Sequence, residues 1–219
     1  MKAKVDQWSI VITGQWNPHI FSADWVAKNL LEQDEGEIQI QVGFSRGFPV
    51  RLRLITDRFT LVPAQDRILF HPSTGTMENL NALESVALKT LDTLPHTPVT
   101  GYGINFHFYD DLSEGFDHDV FNADDFAKFG KLEFETLDRK VFRKVKINEQ
   151  TILNLTLVSM EDSGVDIDLN FHRSISTNDK IVELRGELSG SIGSRYQTAL
   201  DLLKNVYNLE LDIEGSEDD

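Results

Sequence analysis

The stretch that decides the fold is Val165-Asp-Ile-Asp-Leu-Asn-Phe171, in which apolar and polar residues alternate without a break. Successive side chains of a β-strand point to opposite faces, so Asp166, Asp168 and Asn170 share one face and the apolar residues share the other. Tyr102-Gly-Ile-Asn-Phe-His-Phe108 shows the same alternation. Both stretches are typical of an antiparallel sheet with one buried face and one hydrated face.

The same two-residue period predicts further strands on either side of these two stretches. Turn-forming residues separate 59–62 from 67–70, which favours a hairpin there. The further strands are predicted at residues 7–13, 37–42, 51–55, 59–62, 67–70, 132–136, 141–147, 152–158 and 181–188.

Three amphipathic helices are predicted among these strands. The first covers residues 23–31, with Ser22 as its N-cap. The clearest covers residues 77–94, where leucines recur at three- and four-residue spacing behind the cap residue Thr76. The last follows Gly190-Ser-Ile-Gly193. It is expected to begin with a capping box at Ser194-Arg-Tyr-Gln197, in which the Ser and Gln side chains bond free backbone N–H groups.

Strand groups joined by short turns predict an α+β fold and disfavour a parallel, doubly wound sheet. We expect a mainly antiparallel sheet in two lobes, each with an amphipathic helix packed on it. Residues 110–130 are acidic and break the alternation, which indicates a loop or junction between the lobes. The predicted division is 1–109 for an N-terminal α+β lobe, 110–130 for the acidic loop, 131–214 for a C-terminal antiparallel sheet plus helix, and 215–219 for an acidic tail.

Composition limits the classes of function. The chain has 219 residues, with 36 acidic and 21 basic side chains, and its formal net charge is -15. This charge opposes direct nucleic-acid binding and favours a partner that is a basic or a nucleic-acid-binding protein. The absence of Cys excludes disulfides, thiol catalysis and thiolate metal sites, and it fits a reducing compartment.

The sequence also contains no signal for a membrane. No apolar run approaches the ~18 to 20 residues that cross a bilayer, and the first residues lack the apolar segment of a secretory signal. We therefore expect a soluble, cytoplasmic protein without membrane contacts.

The N-terminal aromatic corner is the first candidate for binding a partner. Trp16, Phe21 and Trp25 surround a turn, and as an exposed patch they would anchor a protein partner. If buried, the same rings would hold the first helix onto the sheet.

Two basic islands are the second candidate. Arg51 and Arg53 share one strand face, as do Lys144 and Lys146. Either these side chains meet acidic groups of a partner, or they neutralise carboxylates across the hydrated face of the sheet.

A catalytic alternative involves Asp166, Asp168 and His172, which alternate on one face of the same strand. Paired carboxylates near a His can perform general acid–base catalysis where burial shifts their pKa values. A hydrated sheet face with no catalytic role explains the same alternation.

A metal-binding alternative involves His107, Asp110, Asp117 and His118, because divalent cations accept His and Asp ligands together. These residues match none of the named metal motifs, so a solvated acidic loop is the other interpretation. The turn at 190–195 precedes a helix and could present N–H groups to an anion, or its glycines could serve only the turn.

No phosphate-binding loop is present in the sequence. We therefore expect a non-enzymatic acidic protein-interaction module, such as a subunit, inhibitor or adaptor of a larger assembly, without a cofactor. The alternatives are a metal-assisted hydrolase using the His/Asp cluster and a small-ligand-binding protein with a pocket between helix and sheet. A homo-oligomer is left open.

Overall fold

The structure is a computed structural model that describes residues 1–31, 38–43, 51–111, 118–121, 138–160, 164–175 and 181–212. Only the backbone is described for Arg51, His118, Asp119, Asp138, Met160, Ile181 and Val182. The predicted strand 132–136, the predicted tail 215–219 and most of the predicted loop 110–130 lie outside the described residues.

The described residues contain ten strands and four α-helices. The strands are β1 (Lys2–Ala3), β2 (Ser9–Gly14), β3 (Gln39–Gly43), β4 (Arg51–Ile55), β5 (Phe59–Pro63), β6 (Arg67–Pro72), β7 (Val99–Asp110), β8 (Asp138–Lys146), β9 (Ile152–Met160) and β10 (Gly164–Ser174). The helices are α1 (Ala23–Asn29), α2 (Met77–Thr93), α3 (Ile181–Leu188) and α4 (Ser191–Tyr207).

These strands form one sheet, in which every described pair is antiparallel, as the alternation predicts. The order is β3-β4-β5-β6-β2-β7-β10-β9-β8, and β1 pairs with the same edge of β7 as β2 does. The predicted hairpin at 59–70 is confirmed, because β5 pairs with β6. Strand β7 is central: β1 and β2 bond to one of its edges and β10 bonds to the other.

Helices α2 and α4 contact the sheet on its apolar face. Helix α2 contacts β2 and β6, and α4 contacts β7. The interface is aromatic: the ring of Trp8 lies 5.2 Å from that of Phe106, edge to face, and the Tyr196 ring of α4 lies 5.5 Å from Phe106. Aromatic side chains of this size dominate the apolar area that a core buries.

Two helix starts agree with the prediction. The Ser22 hydroxyl accepts a hydrogen bond from the N–H of Trp25 at 3.2 Å, and the Thr76 hydroxyl accepts one from Asn79 at 3.3 Å. Each bond satisfies one backbone N–H that the first turn of a helix leaves unpaired. Helix α2 ends before Pro95, which could not continue it.

The prediction of a strand at 181–188 is wrong, because these residues form helix α3. Leu184 and Leu188 are 1% and 0% exposed, and a separation of four places both on one helix face. Two ion pairs hold α3 in place, one between Glu187 and Arg173 of β10 and one between Arg185 and Asp92 of α2.

The predicted capping box is also wrong. Helix α4 begins at Ser191, so Ser194 lies inside its first turn, and the side chain of Gln197 donates to Asp201 at 2.9 Å. The N-cap is Gly190, whose φ of 71° is the left-handed conformation that glycine adopts most easily. Glycine has no side chain with which to cap a helix.

The strands of both halves lie in one sheet, and the division into two lobes with the boundaries given above stays a prediction. Strand β7 extends to Asp110, two residues beyond the alternating stretch that indicated it. Among the described residues, none of the helices is long and apolar enough to cross a membrane.

Candidate functional site

The face of β2, β7, β10, β9 and β8 that points away from α2 and α4 carries most of the candidate residues, and we call it the polar face. The alternation within β10 is confirmed: Val165, Ile167, Leu169 and Phe171 are at most 1% exposed on the helix side. The intervening polar residues therefore lie on the polar face.

A ladder of side-chain amides crosses the polar face. The amide of Asn105 on β7 donates to the Ser9 hydroxyl at 2.9 Å, and the Asn170 amide on β10 donates to the Asn105 carbonyl at 2.5 Å. The amide of Asn154 on β9 continues the chain by donating to the Asn170 carbonyl at 2.9 Å. All three amides point the same way, so their hydrogen bonds polarise one another. Lys144 of β8 is the next residue in this register.

A charged cluster lies on the same face, nearer to β1. The Lys4 ammonium lies 2.5 Å from an oxygen of Asp166, and Nε2 of His107 lies 3.6 Å from the same oxygen. Partial burial favours a raised pKa for Asp166, but the hydrogen bond and the charge of Lys4, with a smaller contribution from His107, outweigh it and the pKa is lowered. Asp166 is therefore ionised at neutral pH.

Asp168 differs from Asp166 in its surroundings. It stands opposite His107 in the register of β10 and β7. Desolvation raises the pKa of the Asp168 carboxyl, and His107 and Lys140 oppose that shift only in part. The pKa shifts of the two carboxylates therefore have opposite directions, and Asp166 is half-buried beside Lys4 whereas Asp168 is exposed.

His172 does not join this cluster, although it shares the polar face. Its Nε2 lies 3.0 Å from the Ser174 hydroxyl, and its cross-strand neighbours are Gly103 and Ile152. Four residues of extended chain, roughly 13 Å, separate it from Asp168. The structure brings His107, rather than His172, to the two carboxylates.

The candidate metal ligands do not converge among the residues that the structure describes. His107 and Asp110 are three positions apart in β7, so their side chains point to opposite faces. Asp110 is 2% exposed and lies 3.1 Å from the ammonium of Met1. Asp117 lies outside the described residues, and only the backbone of His118 is described. The described part of the chain has no group of three or more His, Asp and Glu side chains that could hold a metal ion.

The aromatic corner is mostly internal. Trp16 and Phe21 are 5% and 1% exposed, and the indole N–H of Trp16 donates to the carbonyl of Ile12 at 3.2 Å. Trp25 packs edge to face on Phe21 with 5.1 Å between centroids and stays partly exposed. This burial agrees with the core interpretation of the corner. A partner that contacts the corner without rearranging it would meet Trp25.

The basic island on β4 lies at the far end of the same face. Only the backbone of Arg51 is described. The Arg53 side chain is exposed, and its positive charge interacts with His71 of β6. Burial lowers the pKa of His71, the hydrogen bond from its Nδ1 to the Trp8 carbonyl (2.9 Å) opposes this, and Arg53 lowers the pKa further.

The basic island on β8 has the clearest geometry. Lys144 and Lys146 lie on the polar face, where the register places them beside Asn154 and Ile152. Lys140 and Phe142 share this face, and Phe142 is 58% exposed. Phe142 was not among the residues predicted from the sequence, although its alternation with Lys140, Lys144 and Lys146 was a signal that could have identified it. Arg143 of the same strand points to the helix side, and its guanidinium donates to the Tyr207 hydroxyl at 3.2 Å.

The backbone N–H groups of the turn at 190–195 do bind an anion, which is the carboxylate of Glu84 in the same chain. One oxygen of the Glu84 carboxylate accepts from the N–H of Gly190 at 2.5 Å, and the other accepts from that of Ile192 at 2.8 Å. Glu84 lies on α2 and is 7% exposed, so the carboxylate caps α4 from a neighbouring helix.

The interface between helices and sheet is tightly closed around Trp8, where a small ligand could have been bound. The gap bordered by Trp8, Leu83, Phe106 and Ile192 is too narrow for a water molecule. The interface there is a packed core, and the alternative stays a prediction for the rest of the chain.

Comparison with known protein families and with curated proteins gives no match for this chain.

Proposed function

We propose that this protein is a non-enzymatic interaction module that docks a partner protein through the polar side of β8. The observation that carries the proposal is the alternation of Lys140, Phe142, Lys144 and Lys146 along one face of β8, with Phe142 58% exposed. We call these four residues the β8 strip. An exposed aromatic side chain surrounded by cations can supply an apolar anchor and an electrostatic rim together.

The lysines of the β8 strip have a second explanation, which Phe142 helps to separate. Lysine on an edge strand discourages pairing with other chains, and β8 is the last strand of the described sheet. That role needs no aromatic residue, because an exposed phenyl ring weakens the protection. Phe142 at the centre of the strip therefore favours a contact surface.

The charge of the β8 strip selects the class of partner. The whole chain carries a net charge of -15, but interactions between exposed charges are screened beyond about 10 Å at moderate salt, so the lysines of the strip dominate the charge at their own surface. A cationic strip therefore favours a partner with an acidic segment. The basic partner expected from the net charge would have to meet the acidic segments instead.

The contacts of the polar side chains favour binding over catalysis. The Lys4 ammonium bonds to Asp166, and the amides of the ladder bond to one another. Side chains engaged in this way stabilise the sheet. The metal-assisted hydrolase is disfavoured, because β7 points His107 and Asp110 to opposite faces.

The test is an NMR titration with two peptides of matched length, Glu-Leu-Glu-Ile-Glu and Lys-Leu-Lys-Ile-Lys, each capped at both ends. The proposal expects the acidic peptide to shift amide resonances of β8 and β9, with affinity that falls as salt rises. Phe142→Ser should weaken that binding about tenfold or more, since a buried Phe contributes about 1.5–3 kcal/mol. Val206→Ser is the control, because Val206 is 60% exposed on α4.

Two outcomes would contradict the proposal. One is tighter binding of the basic peptide at β8, and the other is binding of the acidic peptide that Phe142→Ser leaves unchanged. Either result would leave the lysines with only their protective role at the edge.

A further inference from the structure

We infer that β3 is a dimerisation edge, at which two copies of this chain pair antiparallel about a two-fold axis and join their sheets. Among the described residues, β3 is bonded on one side only, to β4. All five of its residues are exposed, and Ile40 and Val42 are 54% and 45% exposed. This edge lies at the opposite end of the sheet from the β8 strip, so the inference does not depend on the proposed function.

The two ends of the described sheet differ in how they are protected. An edge strand offers unpaired N–H and C=O groups to other chains, and proteins block such edges with charged residues, especially lysine. Strand β8 has Arg139, Lys140, Arg143, Lys144 and Lys146 in its nine residues. Strand β3, Gln39-Ile-Gln-Val-Gly43, has no charged residue and no proline. An uncharged, β-branched edge of this kind is suited to pairing.

The net charge limits which part of the surface two copies of the chain can share. Copies that carry -15 each repel one another, so a contact between them must use a part of the surface without acidic residues. The five residues of β3 include no acidic side chain, so a second β3 brings no charge of its own to be buried beside Ile40 or Val42.

The sequence of β3 is complementary to itself in one antiparallel register. With Gln41 on the two-fold axis, Ile40 faces Val42 of the second copy and Gln41 faces its own counterpart. The Ile40 and Val42 side chains of both copies then lie on one face of the joined sheet, and the glutamines lie on the other face. Both copies use the same strand in this two-fold interface, so no β3 edge is left to bind a third chain and the assembly stops at a dimer.

The first test is light scattering of the full chain across protein concentration. The wild type should approach twice the chain mass of 24.9 kDa as concentration rises. Ile40→Lys and Val42→Lys should each weaken dimerisation about tenfold or more, because each removes apolar burial worth about 1.5–3 kcal/mol. Val206→Lys, at an exposed apolar residue of α4, should leave the dimer unchanged. Circular dichroism checks that the variants keep the fold.

Salt separates this contact from peptide binding at the β8 strip. Added NaCl screens the repulsion between two acidic copies, so it should strengthen dimerisation, whereas binding of an acidic peptide to lysines should weaken. Dimerisation through β3 and peptide binding at the β8 strip can therefore be tested independently, and a negative result for one does not affect the other.

The second test establishes the register of the two strands. Because the chain has no Cys of its own, an introduced Cys is the only thiol that can form a disulfide. Gln41→Cys should form a disulfide between copies on mild oxidation, because directly opposed Cβ atoms lie about 4.5–5.5 Å apart. Gln39→Cys is the matched control, since its two copies would lie roughly 13 Å apart along the strands. A monomer at every concentration and salt, open-ended aggregation, or equal cross-linking of both variants would overturn the inference.

Discussion

Glu84 and Ile192 are joined by a 2.8 Å hydrogen bond from the backbone N–H of Ile192 to the Glu84 carboxylate. The same carboxylate accepts from Gly190, so a side chain of α2 supplies the cap that the glycine at the start of α4 cannot provide. A buried carboxylate at this position also interacts favourably with the positive end of the helix dipole.

We predict that Glu84→Ala destabilises the protein by about 2–3 kcal/mol, the range for losing a charge-assisted hydrogen bond in a buried place. Glu84→Gln should cost less, because its carbonyl oxygen can still accept one of the two bonds. Urea unfolding at pH 7 measures both losses. Glu78→Ala, on the exposed first turn of α2, is the control and should change stability by less than about 0.5 kcal/mol. Equal losses for Glu84→Ala and Glu78→Ala would contradict the capping role.

The amide ladder leads to a second prediction, at Asn170. This side chain donates to Asn105 and accepts from Asn154, so Asn170→Leu leaves both partners without it. We expect a loss of about 2 kcal/mol in urea unfolding, typical of two polar groups losing their hydrogen-bond partner.

Asn170→Asp is the matched variant of similar shape. Asn105 can then turn its amide to donate to the new carboxylate, provided that the Ser9 hydroxyl donates in turn. Asp at this position should therefore cost less than Leu, and adding Ser9→Ala should cost more in the Asp background than in the wild type. A Leu variant as stable as the wild type would show that the ladder contributes nothing.

The third prediction concerns Asp166 and acid. Its pKa is lower in the fold than in the unfolded chain, so its stabilising contribution is present above the unfolded value of about 3.9 and disappears as the pH falls through the folded value. Asp166→Asn should cost about 1 kcal/mol at pH 7, the upper range for a partly exposed ion pair. The difference from the wild type should shrink as the pH falls below about 4. Urea unfolding at several pH values measures it, and a constant difference across pH would exclude the ion pair as its source.

The fourth prediction concerns His71, whose pKa is lowered in the fold. The unfolded chain takes up its proton first, near pH 6.5, so stability falls as the pH drops from about 6.5 towards the folded value. His71→Gln should flatten that part of the stability–pH curve.

Arg53→Gln tests one cause of the His71 shift. Removing this charge should raise the pKa of His71, measured by NMR titration of the imidazole. Arg67→Gln is the control, because Arg67 lies four residues away in β6 and contacts Asp66 at 3.6 Å. An unchanged His71 titration in Arg53→Gln would assign the shift to burial alone.

Local sequence signals predicted the parts of the fold that local interactions determine. Ser22 and Thr76 cap their helices as expected, and the apolar side of β10 is buried throughout. Residues 181–188 were misread as a strand because Ile181 and Val182 are β-branched and Gly186 is a poor helix former. The ion pairs of Glu187 and Arg185 with distant elements favour the helix, and they are invisible to local propensity.

The arrangement of the site depends on register, which the alternation does not contain. His107 stands opposite Asp168 because β7 and β10 pair with one particular offset across about sixty residues of chain. A shift of one residue would move every side chain to the other face, but a shift of two would keep the pattern and separate this pair. The same limit hid the amide ladder and the capping of α4 by Glu84.

The central position of β7 has a consequence for how the protein folds. Ser9 of β2 pairs with Asn105 of β7, ninety-six positions later in the chain. Contacts so distant in sequence slow folding, because a long stretch of chain must be brought together before they form. During synthesis the edge of β2 that pairs with β7 stays unpaired until β7 has left the ribosome. Until then that edge is accessible to chaperones and to neighbouring nascent chains.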